Sequence, residues 1–390
     1  MSCYIGSNNN RFYVGLEESY GVASDLQSLR RIPAVSLKAR RSPERLTRRD
    51  KTGSRTFMGL PGRLKHKTSF ELSTYLTGWT DQNRAPVYGA LFEAGLGSAG
   101  RMFDGRTVSA SDGLRVTVTA NHGLQPGQAV ACDGEIRFVT AIQDDRTVLL
   151  NAPFSAGLAA GSELIPTYTY MPGSGCPKGV SIYDYWTPAT ALHRLATGCA
   201  VDRIQIDVNG DFHGFKFSGP AADLIDSATF TSGEAGLQQF PQEPAEPGFD
   251  YTIVPGHLGQ AWIGIAPNRV FTLASARTTV DNNVDLRQRE FGYDLPRAIV
   301  PGERDVRVNF ALYAQDNAET KSLYEAARQR SPMSVMLQLG QQNGQLCGVF
   351  MKSVIAETPE FDDSETRLMW SFQNCRAQGS GDDEIVVAFA

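Results

Sequence analysis

Long apolar runs are missing from this sequence, and no stretch approaches the roughly 18 to 20 apolar residues that cross a bilayer. We therefore expect no membrane span. The opening residues, MSCYIGSNNNRFYVG, lack the charged and then apolar pattern of a secretory signal, which favours a cytosolic origin. Cysteine is scarce, and none of the six forms a CxxC pair, so we expect buried free thiols rather than disulfides or a zinc site.

Motifs for catalysis are also missing. The five histidines are far apart, and the sequence has no GxSxG elbow, Walker loop or HExxH motif. His213 falls on an apolar strand face, where a hydrogen-bonded structural role is expected. The string GLGSAG at 95–100 fits the dinucleotide fingerprint, but it leaves a predicted helix instead of a strand, so a helix-ending loop is the better interpretation. We predict no enzymatic activity, no cofactor and no metal.

Strand patterns dominate what is present. Apolar and polar residues alternate in 68–76 and again in 306–312, as in half-buried strands. Asn209-Gly210 predicts a type I′ hairpin that places Ile204, Ile206, Val208, His213, Phe215 and Phe217 on one face. Alternation in 367–372 and the final EIVVAFA predict two further strands.

Only two helices are predicted. Ala85 to Ala94 has a proline suited to a first turn and a glycine just past its end. Asn317 to Arg330 has Asn317 or Asp316 as its cap and arginines in its last turn. Two short helices among many strands predict a mainly β protein built from β-sandwiches with one helix each.

An internal repeat is the most informative pattern. LPGRLKHKTSFEL at 60–72 aligns without gaps with VPGERDVRVNFAL at 300–312, matching Phe70 with Phe310. Downstream, LFEA at 91–94 corresponds to LYEA at 323–326. Each half therefore has a long loop, a Pro-Gly turn, an amphipathic strand and a helix, which indicates duplication.

The repeat predicts the domain organisation. We assign 1–106 and 168–239 to a first domain and 251–390 to a second, with a proline-rich linker at 240–250. Residues 107–167, several short strands separated by turns, predict a small β-barrel inserted into the first domain.

Charge is unevenly distributed. Between Arg30 and Lys67, thirteen Lys/Arg stand against two acids, a local balance of +11 in a chain of net charge −5, which leaves −16 for the rest. The basic loop lacks the interleaved aromatics of a nucleic-acid site. We favour contact with an acidic surface of a neighbouring copy, with DNA contact and a plain exposed loop as alternatives.

Candidate contact residues follow from these loops and from two acidic clusters. The basic loop offers Arg40, Arg41, Arg45, Arg48, Arg49 and Arg55. The corresponding second loop offers Arg287, Arg289, Phe291 and Tyr293. Acidic partner candidates are Asp362, Asp363, Glu365, Asp382, Asp383 and Glu384. Such carboxylates could also serve calcium or glycoside hydrolysis, but loop acids are more often solvated or matched to a basic partner.

NRFYVGLEESYGVASD at 10–25, the long basic loop, the strand–helix order and GQAWIGIAPNRVFTL at 259–273 together resemble major tail tube proteins of long-tailed bacteriophages. The resemblance excludes the inserted barrel. It implies two tandem tail-tube-type β-sandwich domains. Such domains form six-fold rings that stack into a hollow cylinder. With two domains per chain, three chains would close a homotrimeric pseudo-hexameric ring, and a homohexamer is the alternative.

The resemblance also implies where the chain is located and what it contacts. The chain would be a structural virion protein of the tail, assembled in the host cytoplasm beside other tail proteins, with phage DNA passing through the lumen without sequence-specific binding. Loops 37–61 and 276–301 would reach neighbouring copies, and strands beginning near Thr68 and Asp305 would line an acidic channel together with the hairpin at Asn209-Gly210. The inserted barrel would lie on the outer surface. Alternatives are a tail-tip or tail-terminator component, or a carbohydrate-binding or carbohydrate-active β-sandwich.

Overall fold

A computed structural model describes residues 4–44, 49–60, 64–245, 249–266, 268–287 and 290–390. The described residues are mainly β, with two α-helices. Residues before 105 form β1 (Asn10–Leu16), β2 (Arg30–Ile32), β3 (Ala34–Pro43), β4 (His66–Tyr75), α1 (Gly89–Leu96) and β5 (Arg101–Phe103). Residues 106–164 form β6 (Arg106–Asp112), β7 (Arg115–Val118), β8 (Ala129–Cys132), β9 (Glu135–Ile142), β10 (Thr147–Leu150) and β11 (Glu163–Leu164).

The remaining elements follow in two groups, the second of which begins after the proline-rich segment. The first group is β12 (Thr167–Tyr170), β13 (Val180–Trp186), β14 (Arg194–Cys199), β15 (Arg203–Val208), β16 (Gly214–Ala221) and β17 (Asp223–Asp226). The second group is β18 (Gly259–Gly264), β19 (Asn268–Arg269), β20 (Leu273–Asp281), β21 (Asp285–Leu286), β22 (Ile299–Val300), β23 (Asp305–Tyr313), α2 (Ala318–Gln329), β24 (Met333–Leu339), β25 (Cys347–Ile355), β26 (Glu360–Asp362), β27 (Met369–Ala377) and β28 (Val386–Phe389). Single 3-10 turns lie at Leu26–Ser28 and Glu234–Gly236.

Eight strands form what we call the central sheet. Its order is β3-β4-β16-β15-β20-β23-β27, with β26 beyond β27. Alternation along these strands turns one face toward the core, where Phe70 and Phe310 are buried, and leaves the other face polar. The strands predicted at 68–76 and 306–312 are thereby confirmed.

Two outer sheets cover the apolar face of the central sheet. The order β2-β1-β13-β14-β17 forms one, and β19-β18-β24-β25 continues through β28 and β12 to β5 in the other. The second outer sheet is continuous with the central sheet, because the end of β25 pairs with the end of β27 at Val354 with Ala377. Helix α1 lies in the same core, where the Phe92 ring packs edge-on against Phe215 and Phe217.

The predicted final strand is β28, which pairs with β12 and β25. Both of its faces are buried, because Val387 and Phe389 pack in the main core and Val386 and Ala388 pack in the cluster shared with the inserted unit.

The hairpin at Asn209-Gly210 corrects a prediction. Asn209 has the expected positive φ of 61°, but β15 and β16 pair Asp207 with Gly214, two residues wider than a type I′ turn allows. The loop opens because its backbone bonds elsewhere: the Gly256 amide donates to the Asp211 carbonyl at 3.1 Å. A shift of two residues preserves the faces, so the six residues from Ile204 to Phe217 are buried as predicted.

The helices match the prediction in place and nearly in length. Asn317 caps α2, where its side chain accepts from the Thr320 amide at 2.8 Å. Helix α1 begins later than predicted, at Gly89, because residues 86–88 form a turn. It also ends two residues later than predicted, at Leu96, with Gly97 as its C-cap at φ 81°. The string GLGSAG therefore ends a helix, as expected.

Residues 106–164 form a nearly closed six-stranded sheet in the order β11-β6-β7-β10-β9-β8. A bridge between Ala131 and Ile165 brings β8 back toward β11. The unit is packed onto the second outer sheet, where Phe138 stacks on Phe350 and Ile136 lies in the same apolar cluster. Such docking was not visible in the sequence, since it joins residues about 200 positions apart.

Two smaller expectations are modified. Cys132, Cys199, Cys347 and Cys375 are free and buried as expected, but Cys176 is exposed in the loop between β12 and β13. Cys3 lies outside the described residues. Within the predicted linker, Glu243 is fixed to the first strand, because it accepts from Arg11 Nη2 at 2.6 Å and from the Tyr13 hydroxyl at 3.0 Å.

Candidate assembly edges and polar face of the central sheet

The polar face of the central sheet carries a lattice of ion pairs between neighbouring strands. Lys38 and Lys216 bind Glu71 at 2.8 and 3.0 Å. Arg277 binds Asp207 at 2.6 Å, and Arg203 binds Asp281. The third group, at one end of β23, consists of Asp305 with Arg307 at 2.7 Å and Arg376 at 3.0 Å.

Charged residues without an ionic partner on this face lie at its two edges. Among the described residues, no ion pair forms at Arg40 or Lys67 on the β3 side, or at Glu360 or Asp362 on the β26 side. Free cations therefore border one edge and free anions border the other. The two edges are electrostatically complementary.

The centre of the central sheet contains an edge-to-edge contact between strands of the two halves of the chain. Strands β15 and β20, from the two halves of the chain, pair antiparallel from Arg203 with Asp281 to Val208 with Ala276. The Arg203 and Arg277 ion pairs cross this seam on the polar face. On the apolar face, the seam buries Ile204 beside Val280.

The two halves repeat the same pairings. Hairpins β3-β4 and β20-β23 each enclose a long loop, 44–65 and 282–304, and each has a register shift near the start of its first strand, at Ala34/Ser36 and Leu273/Ser275. The order β1-β13-β14 in one outer sheet matches β18-β24-β25 in the other, all antiparallel. The correspondence found in the sequence repeat thus extends to the strand pairings.

The outer edge at β26 corresponds to the seam strand β15. Phe361 pairs with Trp370 and Trp370 with Leu312, as Ile204 pairs with Phe217 and Phe217 with Leu72. Ile204 is 1% exposed, whereas Phe361 is 56% exposed. Phe361 stacks on Trp370 with ring centroids 5.2 Å apart and also contacts Tyr324 of α2. An aromatic cluster is therefore left open where the first half has a covered one.

The predicted basic residues are distributed over β3 and its loop. Arg40 is exposed on the polar face, and Arg41, on the opposite face, pairs with Asp223 at 3.3 Å. Arg49 and Arg55 are exposed in the loop. Arg45 and Arg48 lie outside the described residues.

The second loop is less basic and more apolar. Arg287 pairs with Glu290 within the loop, and Arg289 lies outside the described residues. Phe291 is fully exposed, and Tyr293 lies under the Arg297 guanidinium at 4.2 Å. Both long loops leave the same end of the central sheet, which we call the loop rim.

The acidic clusters have different surroundings. Asp362, Asp363 and Glu365 are exposed on β26 and in the turn that follows, at the end of β27 opposite the long loop of its half. The second cluster is bound within the chain: Arg304 holds Asp382 at 3.3 Å and Glu384 at 2.8 Å, and Lys352 holds Asp383. Of the two clusters, 362–365 is the one whose carboxylates form no ion pair with any described residue.

Two structurally important residues, Arg304 and Arg137, were not predicted from the sequence. Arg304 also donates to the Leu96 and Gly173 carbonyls, at 3.4 and 3.2 Å, and so joins the end of α1 to the base of the second loop. Arg137 is fully buried between the Phe154 and Trp262 rings and pairs with Glu135 at 2.5 Å. Burial lowers the pKa of Arg137 to about 10. Neither residue has a motif around it that could have revealed its role.

The polar face is not acidic, contrary to expectation. Eight cations point outward from its strands, namely Lys38, Arg40, Lys67, Arg203, Lys216, Arg277, Arg307 and Arg376. Six anions accompany them, namely Glu71, Asp207, Asp281, Asp305, Glu360 and Asp362. The acidic excess of the sequence therefore lies on other surfaces.

Other sites offer little chemistry. His213 is buried, and its Nε2 lies 2.8 Å from the Leu258 carbonyl, as expected of a structural histidine. Within the described ranges, no group of three His, Cys, Asp or Glu side chains is placed to hold a metal ion. No helix found there has the length and apolar character needed to cross a membrane. Comparison with known protein families and with curated proteins finds no match to this chain.

Proposed function

We propose that this chain is a self-assembling structural subunit of a phage tail tube, built from two tandem tail-tube-type β-sandwich domains and an inserted barrel. The observation that carries the proposal is the seam between β15 and β20. It joins two equivalent units edge to edge, and the equivalent edges at β3 and β26 have no further strand partner among the described residues. A protein that pairs its own halves this way can pair with further copies by the same contact.

The seam specifies the expected contact between copies. Superposing its register on the open edges sets Phe361 opposite Pro43 of the next copy and Asp362 opposite Ser42. Arg40 and Lys67 of that copy then become the nearest cations to Asp362 on the polar face. Phe361 would be covered as Ile204 is covered at the seam.

The stagger of the central sheet is compatible with closure. Residues paired directly across the strands run from Leu72 on β4 through Ile204 on β15 to Val306 on β23. In the sequence repeat, however, the residue of β23 that corresponds to Leu72 is Leu312. An offset of six residues over four strands corresponds to a strand tilt of roughly 45°, within the range of closed barrels. We infer that three chains close a pseudo-hexameric ring whose polar face lines the lumen.

Stacking would use the loop rim. The basic first loop of one ring would meet the 362–365 turn of the next, since these features lie at opposite ends of the strands. Long exposed side chains such as Phe291 would add apolar contact. In this arrangement the inserted barrel lies outside the lumen, on the outer sheet, and the assembled tube belongs to the virion tail.

Concentration-dependent assembly tests the proposal. Purified protein should form rings and hollow tubes in negative-stain micrographs, with a sedimentation boundary that shifts to larger species as concentration rises. A protein that stays monomeric at millimolar concentration contradicts it. Single rings that never stack would favour the tail-tip or tail-terminator alternative.

A further inference from the structure

The polar face presents many arginines and lysines, yet most are bound to carboxylates on neighbouring strands. We propose that Glu71, Asp207, Asp281 and Asp305 prevent these cations from binding the phosphates of a polyanion that moves across the face. The inference rests on the proposed function, in which this face lines a channel for duplex DNA.

The geometry of the pairs supports a shielding role. Each of the four carboxylates lies on the polar face and contacts a cation of an adjacent strand, as Asp207 contacts Arg277 at 2.6 Å across the seam. Two of them serve two cations each, Glu71 with Lys38 and Lys216, and Asp305 with Arg307 and Arg376. Hydrogen bonds from Lys38 and Lys216 hold the pKa of Glu71 below its usual value, so the carboxylate stays charged near neutral pH.

Polyanion affinity depends on how many cations are free to neutralise phosphates. Paired guanidinium groups must first leave their carboxylates, so they contribute little to such binding. Free cations at the edges, Arg40 and Lys67, would be matched by Glu360 and Asp362 of the next copy once a ring closes. The polar face of the closed ring would then have nearly balanced charge and a low affinity for DNA.

A binding measurement on the unassembled chain tests this proposal independently of ring formation. Binding of a 30-base-pair fluorescent duplex is measured by anisotropy for the wild type and for Asp207→Asn/Asp281→Asn/Asp305→Asn. The variant frees Arg277, Arg203 and Arg307, while Arg376 retains its ion pair with Glu303. It should bind at low salt at least tenfold more tightly than the wild type. Between 50 and 200 mM salt its affinity should fall by roughly 40-fold more than that of the wild type, as for about three additional neutralised phosphates.

Two controls separate local shielding from net charge and from misfolding. Asp112→Asn/Asp145→Asn/Glu325→Gln removes three exposed acids elsewhere and should bind DNA as weakly as the wild type. The double variant Asp207→Arg/Arg277→Asp keeps the ion pair between these two positions with its charges exchanged. It should also bind the duplex weakly, with unchanged circular dichroism. Equal binding by the wild type and the first variant, or by the first variant and the matched control, overturns the proposal, whatever the micrographs show about assembly.

Discussion

Ile204 and Phe361 occupy corresponding positions on two strands of the central sheet, yet the first is 1% exposed and the second 56%. The difference follows from their neighbours: β20 pairs with the strand that carries Ile204, whereas no described strand pairs with β26 on the side away from β27. In the proposed ring, the next copy supplies the missing cover.

Alanine at these two positions should therefore affect different properties, stability at Ile204 and assembly at Phe361. Ile204→Ala should lower the free energy of unfolding by about 2–5 kcal/mol, because it opens a cavity in a packed core. Phe361→Ala should cost less than about 1.5 kcal/mol in the isolated chain but should raise the concentration needed for assembly. Urea unfolding and sedimentation velocity measure the two effects. Normal assembly of Phe361→Ala would exclude this edge as the contact.

Charge at the open edges should control ring closure. Asp362→Arg places like charges beside Arg40 and Lys67 of the next copy and should cost about 1 kcal/mol per contact, or roughly 100-fold in assembly over three contacts. Adding Arg40→Glu should restore much of the loss. The matched control is Glu319→Arg, which reverses the charge of an exposed acid on α2. Light scattering gives the assembly threshold, and failure of the double variant to recover would argue against the predicted register.

The buried pair in the inserted barrel should contribute strongly to stability. Arg137 donates to the Pro153 and Ile136 carbonyls at 2.9 and 2.7 Å and pairs with Glu135. Arg137→Met should cost about 3–5 kcal/mol, because it leaves a half-buried carboxylate without its partner. Arg146→Met, in an exposed turn, should change stability by less than about 0.5 kcal/mol. A loss below about 1 kcal/mol for Arg137→Met would show that the pair is dispensable for docking.

Stability should also depend on pH through Glu17. Its buried carboxylate accepts from the Gly198 and Gly21 amides and the Ser181 hydroxyl, at 2.7–2.8 Å, beside Tyr20 and Cys199. Burial raises its pKa above the ordinary value of 4.5, so the folded state binds the proton more tightly than the unfolded state. This contribution is present below pH 4.5 and is lost as pH rises through the raised pKa.

Denaturant unfolding between pH 4 and 8 measures that dependence. Relative to Glu17→Gln, the wild type should lose stability as pH rises, by at most about 1.4 kcal/mol per pH unit. Glu18→Gln, at the exposed neighbouring position, should follow the wild type. A constant difference between wild type and Glu17→Gln across this range would contradict the assignment.

Local patterns predicted the local structure well. The strands around Phe70 and Phe310 and the Asn317 cap each depend on residues close in sequence. Helix α1 ends two residues later than predicted, with Gly97 as its C-cap in place of Gly95. The hairpin predicted at Asn209 is two residues tighter than the observed one. The segment around Gly256 binds the hairpin loop and widens it, and no local sequence pattern indicates that contact.

Long-range features were beyond the sequence. The pairing of β12 with β28 and the docking of Phe138 on Phe350 join distant segments, so alternation alone could not assign partners. Asp382 and Asp383 looked like free acids because Arg304 and Lys352 lie far away along the chain. By contrast, Arg40 and Asp362 were predicted as partners from charge, and the structure places both at open edges.

The number of chains in a ring tests the central claim most directly. Rotational averages of assembled rings by electron microscopy, combined with native mass spectrometry, should give three copies arranged as six similar lobes, with a mass three times the 42.5 kDa of one chain. Six copies in a ring, or a lumen wall that does not include the polar face of the central sheet, would contradict the account.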